Sequence, residues 1–199
     1  MARRDIDSIS VILRVMRKCR SILNNMDEYL IQGSKVALRL MTEDDTDLIV
    51  RWRNNPRVRN NFIYRETFTP ETHKGWIENH VKKGDVYQMI ICDLSDNGRP
   101  VGSIYYRDID NVKKEAEYGI FIGEDDALGK GYGNETAELA LKVARDNLGL
   151  KHIILRVFND NTAAWRSYEH AGFKKMQDLP AVRCSDGEVK DMILMEVQL

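Results

Sequence analysis

The sequence predicts an α/β (α+β) domain, a sheet flanked by helices, with an extra helix at the N-terminus. Three observations lead there. Three strand-like apolar runs follow one another between residues 86 and 122, joined by short polar turns. A long helical pattern, Gly133 to Asn147, then separates them from another short apolar run. The composition is that of a packed domain, with 43% apolar and 31% charged residues over 199 positions. A chain of this length buries roughly two-thirds of its unfolded surface and needs no disulfide or metal staple.

Taken in order, Ile12, Val15, Cys19, Ile22 and Met26 recur at helical spacing among Arg14, Arg17, Lys18 and Arg20. The charges interrupt any signal-peptide core, and Asp5 and Asp7 weaken a mitochondrial targeting reading. Residues 1–34 are therefore expected to form a helical extension that packs on the domain or on a second subunit, which would make a homodimer. The main domain is expected over residues 35–199. Val36 to Leu40 alternates as a strand does. Thr42, followed by Glu43, Asp44 and Asp45, starts a helix that Asn54-Asn55-Pro56 ends.

Thr69-Pro70-Glu71 starts the next helix, with Pro at its first position, reaching about Val81. Val86–Leu94, Val101–Arg107 and Glu115–Ile122 are the three strand signals, and Ser95-Asp96-Asn97-Gly98 supplies hairpin-turn chemistry between the first two. After the long helix come a strand, His152–Val157, and a short helix, Thr162–His170, which Ala171-Gly172 stops. Two strands, Phe173–Gln177 and Asp191–Val197, close the chain.

Charge and cysteine usage narrow the function. Lys and Arg total 30 against 31 Asp and Glu, without the basic surplus of a dedicated nucleic-acid binder. Residues 1–35 hold seven basic and four acidic groups, so the remainder is mildly acidic. Cys19, Cys92 and Cys184 form no CxxC pair, and the four histidines do not cluster. Reduced cysteines in the cytoplasm and no metal site are expected. No run approaches the roughly 20 apolar residues of a membrane span, so no stable insertion is expected.

The chemistry points to Leu128-Gly129-Lys130-Gly131-Tyr132-Gly133-Asn134, between a strand and the long helix. Three glycines in five residues permit positive φ and let backbone N–H groups converge on an anion at the helix N-terminus. A flexible surface loop is the alternative reading. A P-loop fails, because five residues separate Gly123 from Gly129 and Gly131 stands where a hydroxyl residue would bind magnesium. The dinucleotide fingerprint fails at Asn134.

Leu128 to Gly133 instead resembles the acetyl-CoA loop of the GNAT N-acetyltransferase superfamily, Gln/Arg-x-x-Gly-x-Gly/Ala. Asn161 to Phe173 is similar to the same family's N-x-x-A-x-x-x-Y-x-x-x-G-F segment. The order of strands fits from Val36 onward. The resemblance implies the GNAT fold, a mixed, mostly antiparallel twisted sheet of about six or seven strands, and the branch of ribosomal-protein, polyamine and amino-sugar acetyltransferases. It also implies acetyl-CoA as co-substrate. Leu128 departs from the family's Gln or Arg, which should weaken cofactor binding without abolishing it, since backbone amides do most of the holding.

By that resemblance, the loop residues Leu128, Gly129, Lys130, Gly131, Tyr132, Gly133 and Asn134 meet the cofactor's phosphates. Ile120, Phe121 and Ile122 offer backbone groups to its pantetheine arm, with Asn161 and Ala164 beside it. Tyr168 would protonate the departing thiolate; a phenol of pKa about 10 stays protonated at neutral pH. Glu117, which shares a strand face with Glu115 and Gly119, would take the proton of the attacking amine, and a solvated glutamate is its alternative. Trp52, Arg53 and Asn54 resemble an element of sugar-modifying members and are candidates for the acceptor site. The acidic Glu124-Asp125-Asp126 would suit a cationic acceptor, or be a solvated turn. The expected function is acetyl transfer to a primary amine, of a small molecule or a protein N-terminus, by direct attack in a ternary complex. A non-catalytic acyl-CoA-binding module of the same fold is the other reading.

Overall fold

The computed structural model describes residues 29–199; the expected N-terminal helix lies outside the described residues. The elements are β1 (Ile31–Gln32), β2 (Val36–Leu40), α1 (Thr46–Asn54), α2 (Pro56–Arg59) and α3 (Pro70–Trp76, continued by a π-helical turn Ile77–Val81). Then come β3 (Val86–Asp93), β4 (Arg99–Asp110), β5 (Glu115–Ile122), α4 (Tyr132–Asp146), β6 (His152–Phe158), α5 (Thr162–His170), β7 (Lys174–Arg183) and β8 (Val189–Gln198).

The strands form one 8-stranded sheet in the order β1-β2-β3-β4-β5-β6-β8-β7. Two differences from the sequence reading concern its ends. The two-residue β1 is too short to leave a periodic signal, and β7 runs on to Arg183 through an irregular, mostly exposed stretch without clean alternation. Every neighbouring pair is antiparallel except β5–β6. That parallel pair is joined through α4, the crossover that parallel strands require.

The β5–β6 ladder is short. It pairs Glu115 with His152, Ala116 with Ile153 and Glu117 with Ile154, although β5 continues to Ile122 and β6 to Phe158. Beyond Glu117 the sheet is therefore split, and β5 presents an unpaired backbone edge toward β6.

Side-chain alternation sends the two faces of the sheet to different cores. Tyr106, Ala116, Tyr118, Ile153 and Leu155 pack against Ala140, Val143 and Ala144 of α4. Ala137, Ala140, Val143 and Ala144 recur at helical spacing and are fully buried, so this stripe seats α4 on the sheet. On the opposite face Ile90, Cys92 and Phe121 meet Ile49, Trp52, Val58 and Ile77 from the helices before β3. A third cluster, Phe158, Cys184 and Met192, closes the far end. The split between β5 and β6 thus opens between a helix layer on each side.

Candidate active site

A cavity of about 640 Å³ occupies the split. One wall is the start of α4. Gly129 and Gly131 adopt φ of +72° and +79°, a region closed to most side chains, and Gly131 caps the helix. The first N–H groups of α4 have no partner within the helix, and their residues, Tyr132, Gly133 and Asn134, line the cavity at the helix's positive end. The geometry suits a phosphate group, and the open edge of β5 suits an extended amide-bearing arm laid alongside it.

Most residues expected at the cofactor line this cavity: Ile120, Phe121 and Ile122 of β5, Leu128, Gly129, Gly131, Tyr132, Gly133 and Asn134 of the loop and helix, and Asn161 and Ala164 of α5. Lys130 lies outside the lining, with Nζ 4.0 Å from Asp93 Oδ2 and 5.7 Å from the Tyr132 ring centre. Asn161 caps α5 by accepting from the Ala164 N–H, and its side-chain amide donates to Asn61 Oδ1 at 2.9 Å, which joins α5 to the loop after α2.

Tyr168 sits one turn after Ala164, buried and edge-on to Tyr118 and Phe173, on the cavity wall. Burial pushes its phenol well above the ordinary tyrosine value, and the nearby Tyr105 adds to this. Glu117 lies at the last β5–β6 pair. Its Oε1 accepts from Arg107 Nη2 at 2.9 Å and Arg156 Nε at 3.1 Å, and its Oε2 from Arg156 Nη2 at 3.0 Å. A carboxylate has about four acceptor sites, so one remains open.

The acceptor-side expectations need correction. Trp52 is 1% exposed, T-shaped against Phe121, with its indole N–H bonded to Glu124 Oε1 at 2.8 Å; it has no free face for a substrate. Asn54 is committed to the backbone of Phe68, donating to its carbonyl and accepting from its N–H. Arg53 lies against the outer side of the cavity wall, its guanidinium 3.4 Å from the centre of the Phe62 ring. The acidic run is an exposed turn at Asp125 and Asp126 rather than a free cation site, because each carboxylate has an arginine: Glu124 pairs with Arg51, Asp125 with Arg57 and Asp126 with Arg99.

The sequence reading missed the aromatic and basic wall. Phe62 and Tyr64 come from the loop after α2, and Tyr105, Arg107 and Arg156 from β4 and β6. Arg156 carried a signal, a lone arginine in an otherwise apolar run, whereas Tyr105 and Arg107 stand across from Gly119 and Glu117 by a register that the sequence does not show. Among the described residues, no group of three or more His, Cys, Asp or Glu side chains is placed to hold a metal ion, and no helix is long and apolar enough to cross a membrane.

Comparison with known proteins agrees with this architecture. The family model for the acetyltransferase (GNAT) domain matches residues 35–174. An uncharacterized protein of Methanocaldococcus jannaschii is 30% identical over 145 residues, which are 72% of this chain; the chain spans only 29% of that relative's length. Vibrio cholerae spermidine N-acetyltransferase, in complex with CoA and spermine, has a TM-score of 0.75 at 21% identity, over 83% of this chain and 96% of that one. A dodecameric structure of V. cholerae spermidine N-acetyltransferase gives 0.70 at 21% identity, over 83% and 95%. At these identities the structural likeness is one of fold, and the family model covers the split sheet, the glycine loop and α5 together. The chain belongs to the GNAT acetyltransferase family.

Proposed function

We propose that this protein moves an acetyl group from acetyl-CoA to a primary amine by direct attack within a ternary complex. One observation carries the reading: the glycine-capped start of α4, the open edge of β5, Tyr168 and Glu117 all line one cavity. When bound, acetyl-CoA supplies the activated acyl group and a thiolate leaving group.

The chain's own residues supply the rest. The N–H groups at the start of α4 hold the phosphates through backbone rather than side-chain charge, so Leu128 in place of Gln or Arg is tolerable. The unpaired edge of β5 beyond Glu117 orients the pantetheine arm and brings the thioester toward the point where the strands part. Tyr168, kept protonated by burial, donates its proton to the sulfur. The open acceptor site on Glu117 receives the amine's proton, directly or through one water. Cys92 and Cys184 are buried away from the cavity lining, so neither serves as a relay nucleophile.

The acceptor is a small-molecule amine or a peptide N-terminus; the spermidine and spermine named for the structural neighbours belong to the first class. The test is release of free CoA from acetyl-CoA with and without added amine, matched to acetylated amine by mass. Amine-dependent release is expected. Binding of acetyl-CoA with no release in the presence of polyamines, amino sugars or peptides would make the domain a binding module instead.

A further inference from the structure

Within the transferase reading, the acceptor half of the cavity shows an imbalance of charge. Arg57, Arg107 and Arg156 line the cavity, and Glu117 is the one carboxylate among the lining residues. Arg57 is accounted for: it pairs with Asp125 and donates to the carbonyls of Ile122 and Gly123. Arg107 and Arg156 share Glu117. Arg107 also faces Asp108 at 3.6 Å, but that carboxylate is 78% exposed and lies outside the lining, where solvent screens it.

Donor capacity is unspent as well. Nε of Arg107 is buried with no hydrogen-bond partner among the described residues; the Asp108 carboxylate stands 3.6 Å from this same atom, beyond hydrogen-bond reach. Buried guanidinium donors without acceptors are costly, and they are the groups a planar oxyanion satisfies best. The imbalance grows during the reaction. When Glu117 takes up the amine's proton, Arg107 and Arg156 lose their shared counter-charge at the moment of transfer.

We infer that the acceptor is an amine bearing an anionic group, a phosphate or a carboxylate, which docks on Arg156 and Arg107 while the amine faces the thioester. This rests on the transferase reading and narrows it. A polycation would meet two guanidiniums with a single carboxylate between them. An anionic substituent supplies the acceptor that Arg107 lacks and the counter-charge released by Glu117, and places the amine by a two-point contact.

The test uses the full chain with saturating acetyl-CoA and measures CoA release with five probes: glucosamine 6-phosphate and glucosamine, alanine and alaninamide, and spermidine. In at least one pair the anionic member should be favoured by at least about tenfold in kcat/KM, which is the worth of one charge-assisted hydrogen bond, and spermidine should be poorest. The favoured pair identifies phosphate or carboxylate. Arg156→Gln should erase the preference by raising acceptor KM while acetyl-CoA KM stays fixed, and Arg156→Lys should keep part of it. Arg107→Gln provides the same readout if Arg156→Gln fails to fold. Release with no preference for the anionic members, or with spermidine best, overturns the inference and leaves the transferase reading standing. No release with any of the five from protein that binds acetyl-CoA overturns the inference, and no release with a peptide bearing a free N-terminus as well removes the transferase reading too.

Discussion

A Cβ placed on Gly119 would lie 2.3 Å from Cζ of Tyr105, its cross-strand partner in the β4–β5 ladder. The Tyr105 ring thus lies flat over the strand where β5 and β6 part, and only glycine at 119 leaves room for it. Gly119→Ala should displace the ring and cost about 1–3 kcal/mol, the usual range for overpacking, despite alanine's better strand propensity. The double variant with Tyr105→Ala should lose less than the sum of the single losses, because the clash is then gone. Urea unfolding of the four proteins measures this. Gly119→Ala as stable as wild type would show that the ring is not confined.

Tyr168→Phe removes the proposed proton donor while keeping the ring that packs on Tyr118 and Phe173. Turnover should fall on the order of 10²-fold with acetyl-CoA affinity preserved. The pH dependence has a definite sign. Burial, reinforced by Tyr105, raises the folded-state pKa of Tyr168, so its proton is retained past the ordinary tyrosine value of about 10. Wild-type kcat should therefore show no alkaline loss from this group below that pH. A loss with a lower midpoint that disappears in Tyr168→Phe would contradict the assignment.

The features legible in the sequence were those written into residue type. The positive φ of Gly129 and Gly131 follows from what glycine permits, so residue identity alone made the loop a candidate backbone site, with a plain surface loop as its alternative. Helix α5 was bounded to the residue, because Asn161 caps it and Ala171-Gly172 ends it. What depends on register was not legible. Arg107 meets Glu117 only because β4 pairs with β5 in one particular alignment, and Arg156 reaches the same carboxylate across a parallel ladder that crosses α4. Trp52 shows the other limit. Its helical position allowed a site role although such an aromatic is more often core, and burial against Phe121 placed it in the core.

Asp45 anchors the start of α1. Burial alone would raise its carboxyl, but two bonds from Arg39 and those from the Thr42 N–H and hydroxyl hold it below the usual carboxylate range. A carboxylate with a depressed folded pKa contributes stability above its unfolded value, about 3.9, and loses it as pH falls through the folded value. Asp45→Asn removes the negative charge and one of the two oxygens that accept from Arg39, and should cost about 1–3 kcal/mol at pH 7. The gap from wild type should narrow steadily below about pH 4. A gap constant from pH 7 to pH 2 would mean that the charge of Asp45 is not what stabilises this turn.

Glu135, in the first turn of α4, ties the glycine loop to the sheet. Its Oε1 accepts from the Ser34 N–H and hydroxyl at 2.7 and 2.6 Å, and its Oε2 from the Lys35 and Val36 N–H groups at 2.8 and 2.9 Å. Lys35 then reaches over and donates from Nζ to the Lys130 carbonyl at 3.1 Å, orienting the peptide that leads into Gly131. Burial pushes the Glu135 carboxyl up, and these four donors outweigh it and hold it low. Glu135→Gln keeps the shape but turns one oxygen into an N–H₂ group facing donors, so at least one bond must break. The consequence should appear in cofactor binding rather than chemistry, because the clamp touches the glycine loop proposed to hold the phosphates and not the point where the strands part. Acetyl-CoA Kd should rise about tenfold, the equivalent of one hydrogen bond to a charged group, with kcat at saturation little changed. Glu138→Gln, three residues along the same helix and exposed, should alter neither. Calorimetric titration of the three proteins decides it: equal affinities in all of them would detach the Ser34–Glu135 contact from cofactor binding and leave it a fastener for β2 alone.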